Sequence, residues 1–184
     1  MTQKINAPVL SDLRMIRTRE ALRDGLLTLL EQKPLEQIVV RDITAAARVG
    51  YATFYRHYST KEALLDELAK NQVHQLVELT LPVMNTNSLA ACIALLSYVN
   101  EHRALWTTLL TGGAAGTIKQ EMLRVSREIA VTRSGIENWS VTELKVILVV
   151  SCMVEALAWW LSQPHPLAVE EVAKILDSTM VSLS

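Results

Sequence analysis

Apolar side chains recur every three or four positions along almost the whole chain, and no clear stretch alternates strictly between apolar and polar residues beside a hairpin turn. That period belongs to the α-helix, so the expected fold class is all-α. Met15, Leu22, Leu26, Leu29 and Leu30 mark a first helix over about residues 12–32, closed by Lys33-Pro34, because proline disfavours helical geometry in the residue before it. A short second helix spans Val40–Arg48, and after Val49-Gly50 a third runs from Tyr51 to Tyr58. Ser59 and Thr60 are capping residue types, and Lys61-Glu62-Ala63 opens a fourth helix expected to end at Leu81, before Pro82. Further helices are expected over Ser88–Glu101, His102–Leu110, the stripe Ile118, Met122, Val125 and Ile129, Val141–Leu161 and Leu167–Leu183. The expectation is about nine helices in two parts, a domain over 1–68 whose last helix continues to about 81, and a larger one over 82–184.

Half of the 184 residues are hydrophobic and a fifth are charged, enough to bury a sizeable core. The net charge of -1 conceals an asymmetry: up to Lys61 there are ten Lys and Arg against six Asp and Glu, and beyond it eight against thirteen. A basic first part suits phosphates, and an acidic remainder discourages nonspecific binding. The two cysteines, Cys92 and Cys152, lie in apolar helical patterns, and no cleavable leader is evident, so a reducing cytoplasm is expected. The most apolar stretch, Val146–Leu161, contains Glu155 and falls short of the about 20 residues a membrane span needs. It reads as a buried helix. No GxSxG, HExxH or phosphate-loop pattern occurs, and His74, His102 and His165 lack metal-ligand spacing, so neither catalysis, a metal nor a cofactor is expected.

The informative segment is Ile43 to Tyr58, two short helices joined by a tight turn, an arrangement that can lay its second helix in a DNA major groove. Phe54 and Tyr58, four apart, can anchor that helix and leave Tyr51, Ala52 and Tyr55 facing outward. In Thr53-Phe54-Tyr55-Arg56-His57-Tyr58 followed by Lys61-Glu62, the sequence resembles the TetR family of bacterial regulators across about residues 14–68. The chain departs from the family pattern at Arg48, where Gly is usual, at Gly50 in place of a capping Ser, and at Val39 in place of a capping Thr. The resemblance implies a double-stranded DNA operator as partner, with Arg41, Tyr51 and Ala52 at base edges and Thr53, Tyr55, His57 and Lys61 near phosphates. It also implies a homodimer whose last two helices pair with those of the twofold mate. Val146, Val150, Met153, Val154, Leu157, Leu161 and Leu176 are the expected interface, since the penultimate helix is apolar nearly all round. Tyr98, His102, Trp106, Met122, Trp139, Met153, Glu155 and Trp159 could line a pocket for an unidentified small-molecule effector. Together these expectations describe a ligand-responsive repressor with no membrane association.

Overall fold

The computed structural model describes residues 7–84, 86–134 and 139–183. Among the described residues the fold is all-α, with nine α-helices and one 3-10 turn and no strand. The helices are α1 (Ala7–Leu30), α2 (Val40–Ala46), α3 (Tyr51–His57), α4 (Lys61–Met84), α5 (Ser88–Glu101), α6 (Arg103–Thr111), α7 (Ala115–Ser134), α8 (Trp139–Ser162) and α9 (Val169–Leu183). Contacts cluster into two compact units, residues 1–68 and 69–184, with α4 running through the boundary.

In the first unit Leu22 and Leu26 of α1, Ile43 of α2, Phe54 of α3 and Leu64, Leu65 and Leu68 of α4 form the core. The approach of α1 to α2 is close: a Cβ added at Gly25 would lie 3.1 Å from the Ala47 nitrogen and 3.2 Å from the Ile43 oxygen. Any larger residue would push the backbone of α2 back by a few tenths of an ångström, so glycine suits that crossing. Ala46 and Ala47 are the small residues on the α2 side of that contact.

The α2–α3 turn closes as a Schellman motif. Val49 N–H donates to the Thr44 carbonyl at 3.0 Å and Arg48 N–H to the Ala45 carbonyl at 3.2 Å. Such a turn needs a left-handed residue, and Arg48 takes it at φ 55, the only non-glycine residue with positive φ among those described. Where Gly is usual, Arg48 thus accepts a strained backbone conformation. Arg48→Gly relieves that strain and, after the extra freedom Gly brings to the unfolded chain, is expected to stabilise by about 0.5–1 kcal/mol. A thermal melt should rise by about 1–4 °C for a chain of this size. An unchanged or lower midpoint would show that the Arg48 side chain contributes more than its backbone costs.

Helix α4 passes Pro82 and ends at Met84, beyond the stop expected at Leu81. Proline removes one helical hydrogen bond, to the carbonyl four residues back. That carbonyl belongs to exposed Glu78, where water can replace the lost donor. Thr60 Oγ1 accepts from the Ala63 N–H at 3.1 Å and Asn87 Oδ1 from Ala90 at 2.9 Å, so the expected Thr60 cap forms and α5 has its own.

In the second unit Leu96, Trp106, Leu109, Ile118, Leu157, Trp160 and Ala173 are almost completely buried. Arg103 Nη2 donates to the Trp160 and Leu161 carbonyls at 2.9 and 3.2 Å, closing the end of α8, and its guanidinium sits 5.1 Å over the Trp160 ring. Burial pushes the Cys92 thiol up, which disfavours the reactive thiolate. With 24 residues from Trp139, α8 is by length and composition sufficient to cross a membrane, unlike the shorter stretch read from sequence. The difference comes from its first two turns, where Val141 and Leu144 extend the apolar run. Val150, Met153, Val154, Leu157, Trp160 and Leu161 of the same helix are buried within the protein.

Candidate nucleic-acid interface

Helix α3 divides as its spacing requires. Phe54 is fully buried and Tyr58 is 5% exposed, whereas Tyr51, Ala52 and Tyr55 are exposed. The two outer tyrosines form a unit of their own: their hydroxyls share a hydrogen bond of 3.3 Å and their rings meet edge-on at 5.3 Å. That hydrogen bond pushes the Tyr55 phenol up, so it stays a neutral donor and acceptor at physiological pH. Thr53 and His57 are half-buried on the flanks of the helix, and the His57 ring lies 6.3 Å from that of Tyr58.

Arg41, on the exposed side of α2, opens into the same surface. A groove of about 530 Å³ runs between Val39 at the cap of α2, Arg41 of α2, Tyr51 and Tyr55 of α3, and Thr60, Lys61 and Glu62 at the start of α4. Its start at α2 is held from behind. Asp42 Oδ2 accepts from the Val39 N–H at 3.2 Å and from Lys33 Nζ at 2.6 Å, and these bonds hold the Asp42 carboxyl below its usual range, Lys33 foremost. Asp42 thus satisfies a backbone donor at a cap where Val39 offers no acceptor.

Lys61 has a role the sequence did not reveal. Its ammonium donates to the Leu35 and Ile38 carbonyls at 2.7 and 2.8 Å, tying α4 to the 3-10 turn Leu35–Gln37. An ammonium carries three donors, so one remains for a phosphate. Lys61→Met is expected to cost about 1–2 kcal/mol of stability by stranding two carbonyls, read by denaturant unfolding. Unchanged stability would mean that water replaces the ammonium there.

Residues 22–68 match the sequence profile described as bacterial regulatory proteins, tetR family. That match covers the helix-turn-helix segment, about a quarter of the chain, and makes this segment similar to the family. A helix-turn-helix transcriptional regulator of Bacillus subtilis (strain 168), YxbF, is 37% identical over 68 residues, which span 36% of this chain and 18% of that relative's length. A TetR transcriptional regulator from Streptococcus agalactiae 2603V shares the fold with a TM-score of 0.64 at 22% identity, covering 94% of this chain and 98% of that one. The dihydroxyacetone kinase operon activator DhaS does so with a TM-score of 0.58 at 15% identity, over 90% and 94% of the two chains. Two of these proteins are transcriptional regulators and the third is an operon activator.

The residues expected at an effector site are not brought together as one set. Tyr98, His102 and Trp106 do meet: the Tyr98 ring is 4.8 Å from His102 and 6.4 Å from Trp106, and its hydroxyl lies 2.8 Å from Gln72 Oε1 and 3.0 Å from Gln75 Oε1. Met122 and Met153 are buried on α7 and α8, Trp139 is half-buried, and Glu155 and Trp159 face outward, Trp159 with 53% exposure. The expected interface residues are also placed differently. Val150, Met153, Val154, Leu157, Leu161 and Leu176 are buried inside the single chain, and Val146 is half-buried. The apolar surface α8 leaves outside is another stripe, Val141, Leu144, Leu148 and Trp159. Only the packing partner distinguishes the two faces, because both are apolar and both repeat at helical spacing.

Proposed function

We propose that this chain is a TetR-family regulator that binds a palindromic DNA operator as a homodimer and that a small molecule held by the second unit releases it. The observation that carries the reading is the outward face of α3. A helix anchored by Phe54 and Tyr58 presents two tyrosines and an alanine with Arg41 beside them, on a basic part of the chain. Arg41 grips a base edge, Tyr51 and Ala52 lie against bases, and Thr53, Tyr55, His57 and the remaining Lys61 donor serve phosphates. The stripe Val141, Leu144, Leu148 and Trp159 supplies the dimer face, bringing two readers to half-sites about 34–36 Å apart.

Selection of binding sites from random DNA, at several salt concentrations, tests the central claim. A two-fold symmetric sequence with a steep salt slope is expected, and recovery of no sequence would overturn it. Arg41→Ala should then relax preference at one base position per half-site, costing about 1–3 kcal/mol on the best operator. Uniform weakening on every sequence would move Arg41 to the phosphates.

The effector reading draws on Tyr98, His102 and Trp106, whose rings converge in the second unit. Tryptophan fluorescence titration alongside operator binding tests it, since Trp106, Trp139, Trp159 and Trp160 all lie in that unit. Activation is a second reading, supported by a structural neighbour that is an operon activator. Transcription from the selected operator with and without the protein separates the two signs.

A further inference from the structure

We propose that Val39 reads a thymine methyl group in each operator half-site, an inference that rests on the DNA-binding reading above. The position caps α2, where Ser, Thr, Asp or Asn is strongly preferred because a side-chain oxygen can accept a backbone N–H. Valine has no such oxygen. Its own N–H is instead met by Asp42 Oδ2 at 3.2 Å, with Lys33 Nζ 2.6 Å from the same oxygen. The Asp42 N–H, the donor a capping side-chain oxygen would accept, turns instead to the Val39 carbonyl at 2.9 Å, so the side chain at the cap is released from that work.

The released side chain stays in water: Val39 is 54% exposed, an isopropyl group in the groove that also holds Arg41, Tyr51, Tyr55 and Lys61. An aliphatic group there cannot donate to a phosphate or to a base edge. The major groove offers it one apolar feature, the C5-methyl of thymine. Arg41 and Lys61 outnumber the groove's one carboxylate, Glu62, and the surrounding part of the chain carries an excess of Lys and Arg, which favours a polyanion over a second protein surface as the occupant. Val39 therefore acts as a specificity residue beside Arg41, adding preference for a thymine close to the base that Arg41 reads.

The test uses the full-length protein and the best operator recovered by selection. Each thymine is replaced in turn by deoxyuridine, which removes the methyl and nothing else. For the unaltered protein one thymine per half-site, near the Arg41 position, is expected to show about a fourfold loss of affinity, the worth of one buried methyl. Val39→Ser restores a capping oxygen and removes both methyls, so it is expected to melt at or above the parent temperature and still bind. Its deoxyuridine scan should lose the sensitivity at that one position and keep any other. A scan for Val39→Ser identical to the parent's, or a parent scan flat at every thymine, overturns the proposal. Failure to select any DNA overturns the DNA-binding reading itself, so the two failures are distinguishable.

Discussion

A chain carrying Leu157→Arg is expected to lose the folded second unit. Leu157 is 1% exposed on α8, in the same core as Trp160 and Leu109. A guanidinium placed there has no carboxylate partner designed for it, and an unpaired buried charge costs several kcal/mol beyond the lost leucine packing. Whole domains are stable by only about 5–15 kcal/mol. Loss of the cooperative thermal transition, with low soluble yield, is the expected result. A melt within a few degrees of the parent would show that α8 can turn Leu157 to solvent.

Leu148→Glu tests the opposite face of the same helix. Leu148 is 43% exposed and lies on the stripe with Leu144 and Trp159, so a carboxylate there is hydrated in the single chain and the fold should survive. In the proposed dimer the same carboxylate faces its twofold copy across an apolar contact. Sedimentation or light scattering should show a monomer at concentrations where the parent is a dimer. Operator affinity should fall by about 100- to 10,000-fold, the avidity lost when two linked readers become separate. Dimeric mass with undiminished binding would place the interface elsewhere.

Together the two substitutions separate what periodicity left merged. From the sequence, α8 is apolar around most of its wheel, and Val150, Leu157 and Leu161 looked as available to a partner as Leu144 or Leu148. Spacing reports which residues share a face; it carries no record of which face meets α6, α7 and α9. For the same reason the aromatic and methionine residues of the second unit could not be sorted in advance. Trp106 and Trp159 have the same composition signal, yet one is fully buried and the other is 53% exposed.

The first unit was far more legible. Phe54 and Tyr58 at a spacing of four had to share a side of α3, and with them inside, Tyr51, Ala52 and Tyr55 had to be outside. Even the discord at Arg48 was readable, since a turn of that kind needs a left-handed residue whatever its side chain. The interactions that escaped were those linking segments remote along the chain. Lys61 holding the Leu35 and Ile38 carbonyls, and Gly25 admitting the backbone of α2, have no local pattern to announce them.

The sequence by itself determined the helical class, the run of about nine helices, the resemblance of residues 22–68 to the TetR family and the outward face of α3, because each follows from local periodicity or from a contiguous motif. Tertiary structure alone decided that Lys61 is tied to two carbonyls, that Val39 is left exposed beside Arg41 while Asp42 meets its N–H, and which side of α8 stays in water. Those outcomes depend on which distant surfaces meet, and burial is a property of the pair of surfaces, not of either segment.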